Sequence, residues 1–344
     1  MNIYPWQHSA WQHIQSYKGR LHHALLLQGR PGIGKLAFGQ ALAQAMLCEN
    51  PADGGLPCGH CPACTWFIQG NHPDYRLLEP DALARAAGGS EEDISSKGEK
   101  KGSAQISVLQ VRELAGFVNL STHRNGLRVI LVHPAESMNV HAANALLKTL
   151  EEPPPGTLII LVSHHPYQLL PTIRSRCQKI AMPAPERAVA VEWLEEQGVN
   201  DAELCLVQAG DAPLAALAMG QGNHQEQRRS FLGKLVEIDS ITPFTIAEKF
   251  HAHDLLSLLK WLQQWIYDLI SVRLIGKTRY HLDFASGLQE LAGKTNLAKL
   301  LAFQRSLVEA RRTAHHPLNP QLLLESLLIS YADLAHPDGE ASYD

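Results

Sequence analysis

The chain has 344 residues, more than one hydrophobic core usually supports, so two or three domains of roughly 100–200 residues are expected. Hydrophobic residues make up 45% and charged residues 19%, a globular balance that argues against general disorder. The net charge of −4, from 30 Lys+Arg against 34 Asp+Glu, excludes a global cationic field for gripping nucleic acid and leaves room only for a local basic patch.

The opening MNIYPWQHSAWQH has no basic segment leading into an apolar one, so no secretory signal is visible and a cytoplasmic protein is expected. HHALLLQ (22–28) is a short apolar run suited to a buried strand. A Gly-rich turn follows, then LAFGQALAQAMLC, whose Leu36, Phe38, Leu42, Ala45 and Met46 recur at helical spacing. Residues 48–75 hold four cysteines. The small, charged, Gly/Ser-rich stretch 81–105 reads as a mobile loop, and 107–119 as a helix. RVILVH (128–133) predicts a second buried strand, NVHAANALLKTLEEPPP (139–155) a helix stopped by three prolines, and TLIILVS (157–163) a third strand. LLPTIRSRC reads as a short helix and KIAM (179–182) as a further strand. Strands alternating with helices at this pitch predict a parallel α/β sheet.

MPAPE (182–186) is a Pro-rich break, and the chain beyond it reads as helical. HAHDLLSLLKWLQQWIYDLISVRL, for example, sets Leu255, Leu258, Leu259, Leu262, Trp265, Ile266, Leu269 and Ile270 on one side. GQGNHQEQRR (220–229) reads as a soft junction. The expected division is a core of 1–183, a small helical domain of 184–222 and a larger helical domain of 223–344. The longest apolar runs, such as Leu158 to Val162 and Leu214 to Met219, fall far short of the about 20 residues of a membrane span.

Gly29-Arg30-Pro31-Gly32-Ile33-Gly34-Lys35 fits GxxxxGK, but Leu36 stands where the pattern wants Ser or Thr. Such glycines let backbone N–H groups turn inward around phosphates, aided by the helix N-terminus. A Gly-rich strand–helix turn with no ligand is the plain alternative. The missing hydroxyl is normally a magnesium ligand. The neighbouring strand should end in acidic residues, yet His133 and Pro134 stand there, and Glu136 comes two positions late. With both halves of the magnesium site absent, turnover should be negligible. Nucleotide binding through Gly29, Gly32, Gly34 and Lys35 stays open.

Cys48-x9-Cys58-x2-Cys61-x2-Cys64 offers four thiolates on a Gly/Pro-containing loop, the donor set of closed, structural zinc. Reduced free cysteines are the alternative, and His60 and His72 are possible substitute ligands. Cys177 and Cys205 read as buried thiols. The 18 histidines are otherwise scattered and form no metal-like repeat.

HHALLLQGRPGIGK, the four-cysteine insert, HPDYRLLEP, NALLKTLEEPP and IRSRC occur in this order, and the set resembles the bacterial AAA+ clamp-loader family. The resemblance is strong over 1–183 and architectural beyond. It implies an α/β P-loop (AAA+) core with a small zinc insert, a helical lid and an all-α collar. It further implies a hetero-pentamer with motor subunits and a delta subunit, which loads the ring-shaped sliding clamp on primed DNA with ATP bound by sister subunits. This chain would be the rigid, non-hydrolysing member of a DNA polymerase holoenzyme's loader. Arg176 would be a finger reaching a neighbour's γ-phosphate in trans, and Cys48, Cys58, Cys61 and Cys64 the zinc ligands. Leu36, His133 and Pro134 would mark the dead nucleotide site. Active relatives carry a lid arginine where Gly210-Asp-Ala-Pro213 places a proline, and pentamerisation would run through 223–344. Two other readings compete: an autonomous AAA+ ATPase, and a zinc-dependent nucleic-acid-binding module. The second is disfavoured because LPCGHCPAC carries no Lys or Arg.

Overall fold

Three apolar runs decide the architecture of the first half of the chain. In the computed structural model, which describes residues 3–17, 21–87, 103–119, 126–238, 242–313 and 319–334, they form strands β1 (Ala24–Gln28), β3 (Arg128–Val132) and β4 (Thr157–Ser163). With β2 (Tyr75–Leu78) and β5 (Gln178–Ala181) they make one parallel sheet of order β2-β3-β4-β1-β5. The central strands are apolar without interruption because a parallel sheet is covered on both faces. Leu25 and Leu27 of β1 face one core with Val129, Leu131, Ile160 and Val162, into which helix α1 (His8–Ser16) sends Trp11 and helix α2 (Lys35–Leu47) sends Phe38 and Leu42. Ala24 and Leu26 face the opposite core with Ile130, Ile159 and Leu161. That side is covered by α5 (Val108–Asn119), α6 (Val140–Glu151) and α7 (Pro171–Ser175). The fold class is thus the α/β P-loop (AAA+) core expected, followed by helices alone among the described residues after β5.

Contacts divide the chain into two compact units, Met1–Ala190 and Val191–Asp344. The first also holds α3 (Pro62–Ile68) and α4 (Asp81–Ala87), and α8 (Arg187–Glu196) runs across the division. The second is built from α9 (Ala202–Gln208), α10 (Pro213–Gly220), α11 (His224–Val236), α12 (Pro243–Phe250), α13 (Leu255–Ile275), α14 (Ala285–Lys294), α15 (Leu297–Thr313) and α16 (Pro320–Ala332). Its core gathers around α13, whose Leu258, Leu259, Leu262, Trp265, Ile266 and Leu269 are buried as their spacing predicts. Trp265 Nε1 donates to the Tyr331 hydroxyl at 2.9 Å, and that hydroxyl donates to the Leu235 carbonyl at 2.8 Å. No single helix among the described residues is long and apolar enough to cross a membrane.

Two local expectations fail, and one strand is not announced by the sequence. Residues Asp81–Ala87 form a helix rather than loop: DALARAA is rich in good helix formers, Asp81 sits in its first turn, and the Pro80 carbonyl accepts the N–H groups of Leu83 and Ala84. The rest of the predicted loop, 88–102, lies outside the described residues. The soft junction is narrower than 220–229, because helix α11 begins at His224 and Arg228 is fully buried within it. Strand β2 carries no long apolar run. At the edge of the sheet, four residues paired on one side suffice.

Arg228 donates to both carboxylate oxygens of Asp283, at 2.9 and 2.6 Å, and its Nη2 lies 3.0 Å from His281 Nδ1. A guanidinium has only donors, so His281 Nδ1 accepts and the imidazole is neutral. Burial first, and Arg228 second, hold the His281 pKa down to about 3, against 6.5 for the free side chain. Below pH 6.5 the unfolded chain therefore takes up a proton that the native fold refuses. Stability falls with pH across that window, by at most about 1.4 kcal/mol per unit from this group. Urea unfolding at pH 7 and pH 5 should show the loss, and His281→Gln should reduce the slope.

Candidate functional site

The glycine loop runs from the end of β1 to the start of α2, with little freedom for other residues. A Cβ on Gly29 would lie 2.3 Å from the Met182 carbonyl oxygen. Gly34 has φ +84° and faces the Tyr4 ring, which a Cβ would meet at 2.6 Å. The loop's lysine and several of its carbonyls are bonded within the chain itself. Lys35 is only 2% exposed, and its Nζ donates to the carbonyls of Gly29, at 2.7 Å, and Arg30. Burial lowers its pKa to about 8. From the N-terminal segment, Trp6 Nε1 donates to the Ile33 carbonyl at 3.0 Å, and Gln7 Nε2 to those of Ile33 and Gly34, each at 3.0 Å.

Leu36 brings no oxygen to this loop. His133 and Pro134 follow β3, and burial lowers the His133 pKa. The His164 ring stands edge-on to His133 at 5.4 Å, and burial, assisted by Lys35, takes its pKa down to about 4. Two neutral imidazoles therefore occupy the ends of the strands where carboxylates would hold magnesium. The carboxylate that is present, Glu136, accepts the backbone N–H groups of His164 at 2.8 Å and His165 at 3.1 Å. It ties the end of β4 to the turn after β3. Sequence reasoning dismissed Glu136 as late and missed this structural role, along with the contacts of Trp6 and Gln7, since none belongs to a spaced motif.

The four cysteines do come together. Cys48 caps the C-terminus of α2, Cys61 caps the N-terminus of α3, and all four sulfurs lie within 4.8 Å of one another. The Cys48–Cys58 sulfurs are 3.5 Å apart, and the Cys48–Cys61 and Cys58–Cys64 sulfurs 3.9 Å. A tetrahedron with Zn–S bonds of about 2.3 Å has an edge of about 3.8 Å, so the donor set fits zinc. Backbone N–H groups point at the sulfurs, from Cys58 to Cys48 at 3.4 Å, Cys61 to Cys58 at 3.3 Å and Cys64 to Cys61 at 3.4 Å. Such bonds favour thiolates. The His60 backbone N–H is the main cause that brings Cys58 down to about 6, whereas burial pushes Cys64 up to about 12. A dication would hold all four deprotonated. Among the described residues this is the one group of three or more such side chains that can hold a metal. His60 turns to the Cys58 carbonyl, and His72 Nδ1 accepts the Asp74 N–H, so neither replaces a sulfur. Cys177 and Cys205 are buried and apart from the cluster.

Arg176 follows the last turn of α7. Its Nη1 donates to the Thr172 carbonyl at 3.1 Å, and Nη2 pairs with Glu151 at 2.5 Å. Its side chain is 36% exposed. Two of the sequence signatures, NALLKTLEEPP and SRC, thus meet through Glu151 and Arg176. Pro213 opens helix α10.

Sheet order, glycine loop and four-cysteine insert define a P-loop ATPase-type protein of the AAA+ class whose magnesium groups are replaced. The chain belongs to the delta-prime subunit family of DNA polymerase III. The family model "DNA polymerase III, delta subunit" matches residues 6–186, and "DNA polymerase III, delta subunit, C terminal" matches 222–333. The delta-prime subunit of Pseudomonas aeruginosa is 37% identical over 355 residues, covering 98% of this chain and 99% of that one. That of Escherichia coli is 30% identical over 345 residues, covering 98% and 97%. Among solved structures, a DNA polymerase III gamma subunit-related protein from Thermotoga maritima aligns with TM-score 0.45 at 16% identity, covering 95% of this chain and 100% of that one. The family is that of clamp-loader subunits in DNA replication, which is the role of this chain.

The fit of the cluster gives a direct test. The purified, reduced chain should take up one zinc ion, and Cys61→Ser or Cys64→Ser should abolish stable binding and lower the thermal midpoint. Elemental analysis and a chelator-release assay measure this. A wild-type chain that stays metal-free in excess zinc would leave the cysteines as free thiols.

Proposed function

We propose that the chain is the non-hydrolysing member of a hetero-pentameric clamp loader, assembled with motor subunits and a delta subunit. In this reading it helps place the sliding clamp on primed DNA and supplies Arg176 to a neighbouring motor's ATP site. A rigid core of 1–183 with structural zinc on Cys48, Cys58, Cys61 and Cys64, a lid of 184–222 and a collar of 223–344 are part of the reading, as is a cytoplasmic place of action. The observation that carries it is the pairing of a self-occupied phosphate loop with a half-exposed arginine. Lys35 is spent on the Gly29 and Arg30 carbonyls, and Glu136 on backbone N–H groups. Arg176 sits at a helix end, with only Glu151 and Thr172 to release. An arginine delivered in trans contributes about 10³–10⁵ in rate. Nothing in this chain's own loop offers a comparable contribution without magnesium.

The intact glycines and Lys35 favour a second, weaker reading, nucleotide binding without turnover in Gly29, Gly32, Gly34 and Lys35. The chain alone is expected to show no magnesium-dependent ATP hydrolysis. Turnover that disappears on Lys35→Ala would instead support an autonomous ATPase. Mixed with motor and delta subunits, the wild-type chain should restore ATP-driven clamp loading. Arg176→Ala should assemble equally well, by size-exclusion chromatography, and lower the neighbour's ATPase at least a hundredfold. Full loading by that variant would remove the finger role.

A further inference from the structure

Beside the glycine loop, at the carboxyl ends of β4, β1 and β5, the first unit carries an open cleft of about 650 Å³. In parallel α/β sheets this edge is where ligands bind. The cleft borders Gly29 and Arg30 of the loop, and Lys35 is not part of its lining. Its charged side chains are all basic: Arg30 from the loop, Arg174 from α7 and Lys179 from β5, with His164 and His165 beside them. No Asp or Glu is among its lining residues. Glu136, which is not among them, accepts the N–H groups of His164 and His165. A chain whose net charge is −4 has thus collected three permanent cations around one cavity.

The second feature of the cleft is aromatic. Tyr167 is 86% exposed, the highest figure for any large side chain with apolar character among the described residues. The Arg174 guanidinium lies 5.1 Å from its ring centroid, covering one face. An aromatic ring backed by an arginine and flanked by spread cations is a platform for a base with phosphates on either side. We propose that this cleft binds a single strand of nucleic acid, with a base stacked on Tyr167 and backbone phosphates on Arg30, Arg174 and Lys179.

A strand fits better than a free nucleotide. The cations come from three separate segments, and Arg30 and Lys179 are exposed. Such groups hold a ligand by summing over several phosphates rather than by one enclosed anchor. An acidic peptide would satisfy the cations but make no use of the exposed Tyr167 ring. The inference goes beyond the clamp-loader reading and is independent of the Arg176 finger, because Arg176 is not part of the lining.

The test uses the full chain and a fluorescent oligothymidylate of about 20 nucleotides, spanning more than one stacking unit. Anisotropy should report binding whose log affinity falls with log salt at a slope near −2, about 0.7 for each of three phosphates. Arg174→Glu with Lys179→Glu should weaken binding more than tenfold and flatten that slope. Tyr167→Ala should weaken it about tenfold and leave the slope unchanged, since stacking releases no counterions. Arg176→Ala should leave strand binding unchanged while affecting the neighbour's ATPase, so the two proposals fail separately. Photo-crosslinking from a thiothymidine probe, mapped to peptides containing 28–30 or 164–183, reads the same site without any substitution. Unaltered binding by the double glutamate variant, a crosslink elsewhere, or equal competition by a mononucleotide or a polyglutamate peptide would each overturn the proposal.

Discussion

The burial of one ammonium group organises the nucleotide end of this molecule. Lys35 opens helix α2 with almost no exposure. A charge in that position is tolerated only if its donors are satisfied. The Gly29 and Arg30 carbonyls accept them, so the loop is tied to its own lysine. The outer carbonyls, of Ile33 and Gly34, are taken by Trp6 and Gln7. The result is a phosphate loop whose geometry is held from both sides by its own chain, which gives a physical reason for retaining the glycines and the lysine after the magnesium groups are gone. Gly34 could not be replaced without disturbing Tyr4, nor Gly29 without disturbing Met182.

The same logic runs through the neighbouring strand ends. An active motor places carboxylates there, charged and aimed at a metal. Here His133 and His164 are kept neutral by burial and stack edge-on, and Glu136 accepts two backbone N–H groups. Each substitution converts a group that would wait for a ligand into one satisfied within the fold, and such groups resist rearrangement. The cysteine insert provides a comparable brace at the other end of α2. Three backbone N–H groups already point at its sulfurs, and a zinc ion would bind Cys48 at the end of α2 to Cys61 at the start of α3.

What the sequence made legible follows from how far each signal depends on neighbours. The runs at 24–28, 128–132 and 157–163 announced buried parallel strands because both of their faces are covered, and α13 announced itself by its stripe of leucines. The cysteines could be grouped because a two-residue spacer leaves few geometries. Tyr75–Leu78 was missed because an edge strand is made by its partner: Arg76 is exposed, and only Leu78 is buried. Arg228 looked like part of a polar junction because its counterpart Asp283 lies 55 residues away. Glu136 stands two positions past the motif, and its partners are backbone N–H groups just after β4. Pairings of this kind leave no periodicity to read.

The pair formed by Arg176 and Glu151 is a contact that holds an arginine without locking it. Both side chains are roughly one-third to one-half exposed, so water screens their attraction despite the 2.5 Å contact. Exposed ion pairs of this kind contribute about 0–1 kcal/mol, and the Thr172 carbonyl adds one ordinary hydrogen bond. That is enough to hold the guanidinium near the end of α7 and limit its rotamers. It is small beside the several kcal/mol that a trans arginine gains against the developing charge of a transferred phosphoryl group. A buried bidentate pair such as Arg228 with Asp283 would be a poor choice for the same task, since removing its arginine would strand a carboxylate beside His281 and unsettle the second unit's core. The two arginines are therefore separated by environment, one locked into structure and one held by a contact weak enough to exchange, and this difference is what makes Arg176 the better candidate for a role outside its own chain.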